Sequence, residues 1–269
     1  MDPSNPLPSQ FQQARTMIEL VARQQFVCTA LSGGAGLGKT YTVEQTLKQL
    51  DVPYKIVRGS GPGLMLEAYN LSQGGVIVLD DADNLVVGGG VAQANLMKQL
   101  LAPDKVRVIS NYTLAAAAGR ALTPPEFRTA VGFVWLTNMD LSSKTSIAPK
   151  MRPHLDALLD RGLQPITLTN DPRMIVDYIV HLVRDEGLLQ RGRTPSSLKE
   201  ANDVLAYFVG NAWRLPTISV RVVEAMAKLR KAAPNNWRSI LDGRLCSAPR
   251  YEFPLPPIPV IRAGKESVS

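Results

Sequence analysis

The sequence predicts an α/β protein, a doubly wound parallel sheet followed by a small helical lid subdomain. Three observations carry this expectation. Short apolar runs such as Val76–Leu79 alternate with helical patterns over the first 170 residues. A glycine-rich loop falls at one strand-to-helix junction, Gly33–Thr40. From about residue 171 onward the pattern is helical throughout. Strands alternating with helices point to a parallel sheet covered on both faces, and a wholly apolar run of four or five residues is what a strand buried on both faces requires.

Taken in order, FQQARTMIELVARQ is amphipathic and helical, within an N-terminal segment of residues 1–25. Residues 26–170 form the expected α/β core. Phe26–Leu31 reads as a strand, Lys39–Leu50 as a helix, Tyr54–Arg58 as a strand and 63–72 as a helix. Val76–Leu79 is a buried strand, and a loop holding Gly88, Gly89 and Gly90 leads to a helix near 91–102. Val106–Ser110 and Gly132–Thr137 are further strands of the core. Gln164–Leu168 contains Pro165, which lacks an N–H, so it is an edge strand at best. Residues 171–245 form the helical subdomain, with helices over 172–186, 196–209 and 217–232. The proline-rich tail, 246–269, is expected to be extended or disordered.

Composition excludes several classes. No run of eighteen apolar residues occurs, so a membrane span is not expected, and the N-terminus lacks the basic start and apolar stretch of a secretory signal. With 2 Cys and 2 His there is no zinc constellation, and a reducing, cytoplasmic setting is expected. Of the net charge of +7, residues 150–269 carry +6, from 18 Lys and Arg against 12 Asp and Glu. That asymmetry suits a polyanionic partner, nucleic acid or nucleotide.

The loop Gly33-Gly34-Ala35-Gly36-Leu37-Gly38-Lys39-Thr40 matches G-x-x-x-x-G-K-[ST] in full. Its glycines let backbone N–H groups turn inward around phosphate oxygens, Lys39 reaches the β- and γ-phosphates, and the Thr40 hydroxyl ligates Mg²⁺. The following helix adds its N-terminal dipole, and Tyr41 completes the expected nucleotide contacts. About forty residues on, VIVLDDADNL ends an apolar strand in acid. Asp80 is the candidate for holding Mg²⁺, and Asp81 for orienting or deprotonating the attacking water. Asp83 reads as a helix cap or a solvated surface group.

Three further features follow: FVWLTN ending in Thr137-Asn138, ALLDRG with Arg161, and ISVRVV with Arg221. With the phosphate loop and the acidic strand, this ordered set over residues 15–245 resembles the AAA+ ATPases, of a compact phage- or mobile-element-like type. The resemblance implies ATP and Mg²⁺ as cofactors. It makes Asn138 the sensor 1 residue and Arg161 the arginine finger inserted by a neighbouring subunit, with Arg152 a second finger candidate. Arg221 becomes sensor 2. A homo-oligomer, ring or helical and foremost a hexamer, is therefore implied.

The sequence departs from the family in carrying Asp80-Asp81 where most members have Asp-Glu. Asp-Asp resembles the initiators and helicase loaders of the DnaA type, although no initiator-type DNA-reading domain is recognisable. The stretch 107–138 resembles the hairpin that precedes sensor 1 in MoxR-like proteins, while the loops 59–65 and 86–90 lack the aromatic-hydrophobic-glycine signature of peptide-threading rings. The expected function is an oligomeric ATPase that remodels a nucleic-acid complex, with DNA as its partner. The alternatives are a MoxR-like remodeller of a protein client, or a nucleotide-dependent assembly switch with little hydrolysis.

Overall fold

The computed structural model describes residues 3–58, 61–87, 91–110, 122–141, 149, 152–191, 195–254 and 261. The Gly88–Gly90 loop, part of the 59–65 loop and most of the proline-rich tail lie outside the described residues. By their contacts the residues form two units: a core unit of Ser9–Gly34 and Gly38–Leu168, and a helical unit of Met1–Pro8, Ala35–Leu37 and Thr169–Ser269. Among the described residues no helix is long and apolar enough to cross a membrane.

The core unit is built on a parallel sheet of five strands. These are β1 (Cys28–Ser32), β2 (Tyr54–Val57), β3 (Val76–Asp80), β6 (Gly132–Thr137) and β7 (Gln164–Thr167), in the order β2-β3-β6-β1-β7. β1 and β6 are buried at every position and β3 at all but Asp80. This is why their sequences are apolar runs rather than alternations. As expected of its proline, β7 is an edge strand.

The strand expected at Val106–Ser110 is present but belongs to a second, smaller sheet. β4 (Arg107–Ser110) pairs antiparallel with β5 (Glu126–Thr129), Val108 opposite Arg128, in a separate two-stranded sheet. The physical reason is legible in burial: β4 alternates inward and outward, as a half-covered ribbon does, whereas the central strands are continuously buried.

Helices α1 (Leu7–Ala22), α2 (Lys39–Gln49), α3 (Gly61–Asn70), α4 (Asp83–Val86), α5 (Val91–Leu100) and α6 (Arg152–Leu159) complete the described elements up to β7. The sequence reading did not anticipate α4 or α6. The first is a single turn, and the second shows its periodicity only in Leu155 and Leu158, the buried pair on one face. The buried thiol of Cys28 is pushed up to about 12 by desolvation, so it is inert at neutral pH.

Leu47 of α2 is fully buried. Leu47→Ala is expected to lower stability by about 2–5 kcal/mol through a cavity behind the phosphate loop's helix, read as a lower urea midpoint at unchanged slope.

The helical unit comprises α7 (Pro172–Arg184), α8 (Leu198–Asn211), α9 (Val220–Ala232) and α10 (Trp237–Asp242). Its helix starts are chemically specified. Asp171 caps α7 by accepting from the Arg173 N–H at 2.9 Å, and Pro172 fills the first helical position. Ser197 and Glu200 form a reciprocal capping box on α8, and Ser219 caps α9 by accepting from the Val222 N–H at 3.3 Å. Within this unit Val220 donates its N–H to the Gly36 carbonyl at 3.0 Å. Gly36 has φ +75°, and a Cβ there would lie 2.8 Å from Ser219 Cβ, so only glycine fits. At the other end Tyr207 packs on Trp237, ring centroids 5.3 Å apart, and donates its hydroxyl to Asp242 at 2.7 Å.

Candidate nucleotide-binding site

The strand register brings the site's groups to one end of the sheet. Ser32 pairs with Thr137 and Asp80 with Leu136, so the C-terminal ends of β1, β6 and β3 stand side by side. Connections from β1 run to one edge of the sheet, and that from β6 to β7 crosses to the other, so the end of β1 is where ligands bind in open α/β sheets.

From Ser32 the chain turns into the phosphate loop. Gly33 donates its N–H to the Thr137 carbonyl at 3.2 Å, and its φ of +150° with Leu168 Cβ 2.8 Å from a would-be Cβ admits no side chain. Gly38, left-handed at φ 96°, is the N-cap of α2 and offers no side-chain cap. The first N–H groups of α2 are thus left for an anion, where the helix dipole favours one.

Lys39 is buried, and its ammonium donates to the carbonyls of Gly33 and Gly34 and, at 2.9 Å, to Asn138 Oδ1. The structure thereby joins two residues that the sequence reading placed in one site from 99 positions apart. Tyr41, on the first turn of α2, is 65% exposed.

Asp80 ends β3 with its carboxylate partly covered, and Arg58 Nη2 lies 2.9 Å from Oδ2. Arg58 was not anticipated, because its place beside Asp80 depends on β2 lying next to β3. Asp80 holds the guanidinium above its ordinary pKa through that hydrogen bond. The Arg58 side chain is 63% exposed, so the pair is worth about 0–1 kcal/mol and yields readily to a stronger cation.

Asp81 is exposed, with φ +52°, a left-handed conformation that Asp tolerates better than most residues. Asp83 is neither a cap nor a solvated surface group: Ala82 is the N-cap of α4, and the Asp83 carboxylate is half-buried, accepting from Trp135 Nε1 at 3.1 Å. Burial raises its pKa, while hydrogen bonds from Thr137 and Trp135 oppose the rise; Asp81 adds to it and Lys39 subtracts.

The remaining candidates are placed as follows. Arg161 sits in the turn after α6, its Nη1 donating to the Ala157 carbonyl at 2.9 Å, with left-handed Gly162 next. Arg152 is the first residue of α6, and Arg221 lies exposed in the first turn of α9 in the helical unit.

No cluster of three metal-ligating side chains occurs among the described residues. The donor set nonetheless suits Mg²⁺, which binds one or two protein oxygens and completes its shell with phosphate and water. Asp80 and Thr40 are hard oxygen donors of that kind, Asp80 at the end of β3 and Thr40 in the first turn of α2.

The glycine-rich loop lies between β1 and its helix, Asp80 ends β3, and Asn138 follows the intervening β6. The fold is an α/β fold with a five-stranded parallel sheet and a glycine-rich loop at one strand-to-helix junction. No family model matches the chain. Over 225 residues it is 26% identical to an uncharacterized 36.7 kDa protein from the nrdC–mobD intergenic region of Enterobacteria phage T4, covering 79% of this chain and 66% of that protein. Among solved structures it is similar to the RuvB Holliday junction branch migration motor of Thermotoga maritima, at 13% identity and TM-score 0.44, covering 89% of this chain and 65% of that one. A DNA replication initiation factor aligns at 12% identity and TM-score 0.47, covering 90% and 69%. The chain thus spans slightly less than two thirds of the phage protein and of RuvB. The core unit itself carries the glycine-rich loop, the oxygen side chains of Thr40 and Asp80, and Asn138 in contact with Lys39 of the loop.

Proposed function

We propose that the chain is an oligomeric, Mg²⁺-dependent AAA+ ATPase whose hydrolysis at subunit interfaces remodels a nucleic-acid complex. The observation that carries the ATPase reading is Lys39, seated in the phosphate loop and bonded to Asn138 at the end of the neighbouring strand. In this reading the loop N–H groups and Lys39 bind the β- and γ-phosphates of ATP. Thr40 and Asp80 hold Mg²⁺, which neutralises phosphate charge when bound. Asp81 orients the attacking water and accepts its proton, and Asn138 aligns that water against the γ-phosphate. Arg161 of a neighbouring copy stabilises the charge that develops on the equatorial oxygens, and Arg221 reports nucleotide state.

ATPase rate measured against protein concentration, with and without DNA, tests the whole reading. A rate per chain that rises with concentration supports interface hydrolysis. If the native chain, Asp81→Asn and Arg161→Ala are equally inert, the chain is a nucleotide-dependent assembly switch instead.

The nucleic-acid part is supported by the helical unit's charge. Lys228 and Lys231 lie on the outward face of α9, and Arg238, Arg244 and Arg250 are also exposed. Of the nearby acids, Asp203 pairs with Arg230 at 2.9 Å and Asp242 accepts from Tyr207, while Glu224 is exposed one turn before Lys228. Single-stranded DNA affinity should fall with salt, and the double variant Lys228→Glu, Lys231→Glu should weaken binding about tenfold or more and flatten the salt slope by about 1–2. Fluorescence anisotropy reads both; no DNA binding by the native chain at low salt would exclude this partner.

A second reading rests on the β4–β5 ribbon. Val106, Val108 and Leu122 are exposed large apolar residues on or beside it. They suit a protein client in the MoxR-like manner, which capture of a stable protein partner in the absence of nucleic acid would favour.

A further inference from the structure

We propose that α8 carries a docking site for an extended peptide segment, read through the Asn202 amide, and that the chain's own segment at Ile261 is its detachable ligand. The proposal stands apart from the ATPase reading. Asn202 donates its Nδ2–H to the Ile261 carbonyl at 3.1 Å, and its Oδ1 accepts from the Ile261 N–H at 2.6 Å. The two residues lie 59 positions apart, and Ile261 is 7% exposed.

A primary amide holds an acceptor and donors in one plane, the same functions that a peptide group presents. A residue turns its own N–H and C=O to one side when it is extended, as in a hydrogen-bonded antiparallel pair. Asn202 therefore stands where a residue of a neighbouring strand would, and it reads backbone rather than side chain. Selectivity comes from the buried Ile261 side chain, a position that favours an aliphatic group and disfavours a charged one. Asparagine is a poor helix former, yet Asn202 lies inside α8, and the contact with Ile261 gives that placement a purpose.

Detachability follows from how the segment is tied. The Cys246 N–H donates to the Arg214 carbonyl at 2.9 Å, and the N–H groups of Arg250 and Tyr251 donate to the Trp213 carbonyl at 2.7 and 3.2 Å. From Asn202 to Trp213 the helical rise is roughly 17 Å, whereas a backbone from Tyr251 to Ile261 reaches roughly 33 Å when extended. Length therefore does not force the contact. A short tether presents the segment at an effective concentration of about millimolar, so the anchor opens without unfolding α8 and yields to the same sequence supplied in trans.

The test uses the full chain. In native-state hydrogen exchange the Ile261 amide is expected to exchange at least about tenfold faster than that of Leu205, a fully buried residue of α8. Equal rates would mean that the segment leaves only on unfolding, and overturn the proposal. A fluorescent peptide of residues 257–265 with blocked ends is then titrated by anisotropy. It is expected to bind the Ile261→Asp chain at least about tenfold more tightly than the native chain, whose resident segment competes. Adding Asn202→Ala to that chain weakens binding about tenfold, and a peptide carrying Ile261→Asp does not bind. No binding to the Ile261→Asp chain makes the native contact a fixed staple and overturns the site. Protection of the Ile261 amide that rises with protein concentration assigns the segment to a second copy and overturns the intramolecular source. Should Ile261→Asp not fold, Ile261→Gly carries the same titration.

Discussion

Lys39→Ala is expected to abolish ATP binding at micromolar nucleotide and to cut turnover by about 10²–10³ or more. Lys39 brings the one buried ammonium of the phosphate loop to three acceptors, the carbonyls of Gly33 and Gly34 and Asn138 Oδ1. Alanine removes the charge that would follow the γ-phosphate as it leaves. It also frees Asn138 from the contact that sets its side chain. Fluorescent nucleotide titration measures the binding loss, and far-UV circular dichroism of the variant should match the native chain. Undiminished turnover in Lys39→Ala would mean that the phosphate loop is not where hydrolysis occurs.

Arg161→Ala should leave nucleotide affinity close to native while lowering turnover by about 10³–10⁵, the range for an arginine supplied in trans. Arg161 is carried by a turn that Gly162 closes, and its own bond is to a helix-end carbonyl, a contact it can exchange for a phosphate oxygen at small cost. The decisive measurement is mixing. Arg161→Ala has an intact phosphate loop, and Lys39→Ala has an intact finger. Each alone should be inactive, while their mixture should regain a fraction of native turnover from interfaces that pair one with the other. No recovery on mixing, with co-assembly demonstrated, would remove Arg161 from the neighbouring subunit's site.

Much of the core was readable before any coordinates because its signals are local. The phosphate loop is a contiguous motif whose glycines answer to specific backbone geometry, and Val76–Leu79 is apolar because both its faces are covered. Pro165 placed its strand at an edge by lacking an N–H. What escaped depends on partners far along the chain. Trp135 and Asp83 are 52 positions apart, and nothing near Asp83 distinguishes a half-buried acceptor from a cap. Arg58 meets Asp80 only through the order of strands, which periodicity does not encode. Val106–Ser110 was legible as a strand, but not its partner, because a β-prone run does not name the strand it pairs with; its alternation of inward and outward residues marks a half-covered ribbon.

The sheet's two borders also constrain how copies can meet. On one side β7 carries Pro165, which interrupts the row of donors that another strand would need. On the other, β2 exposes Lys55 at its midpoint, a charge that deters a neighbour from zipping alongside. Subunits that associate are therefore steered away from merging their sheets into one continuous ribbon. If the proposed assembly forms, its contacts would fall elsewhere than on the two borders of this sheet, and the backbone ladder of each copy would stay whole when they part.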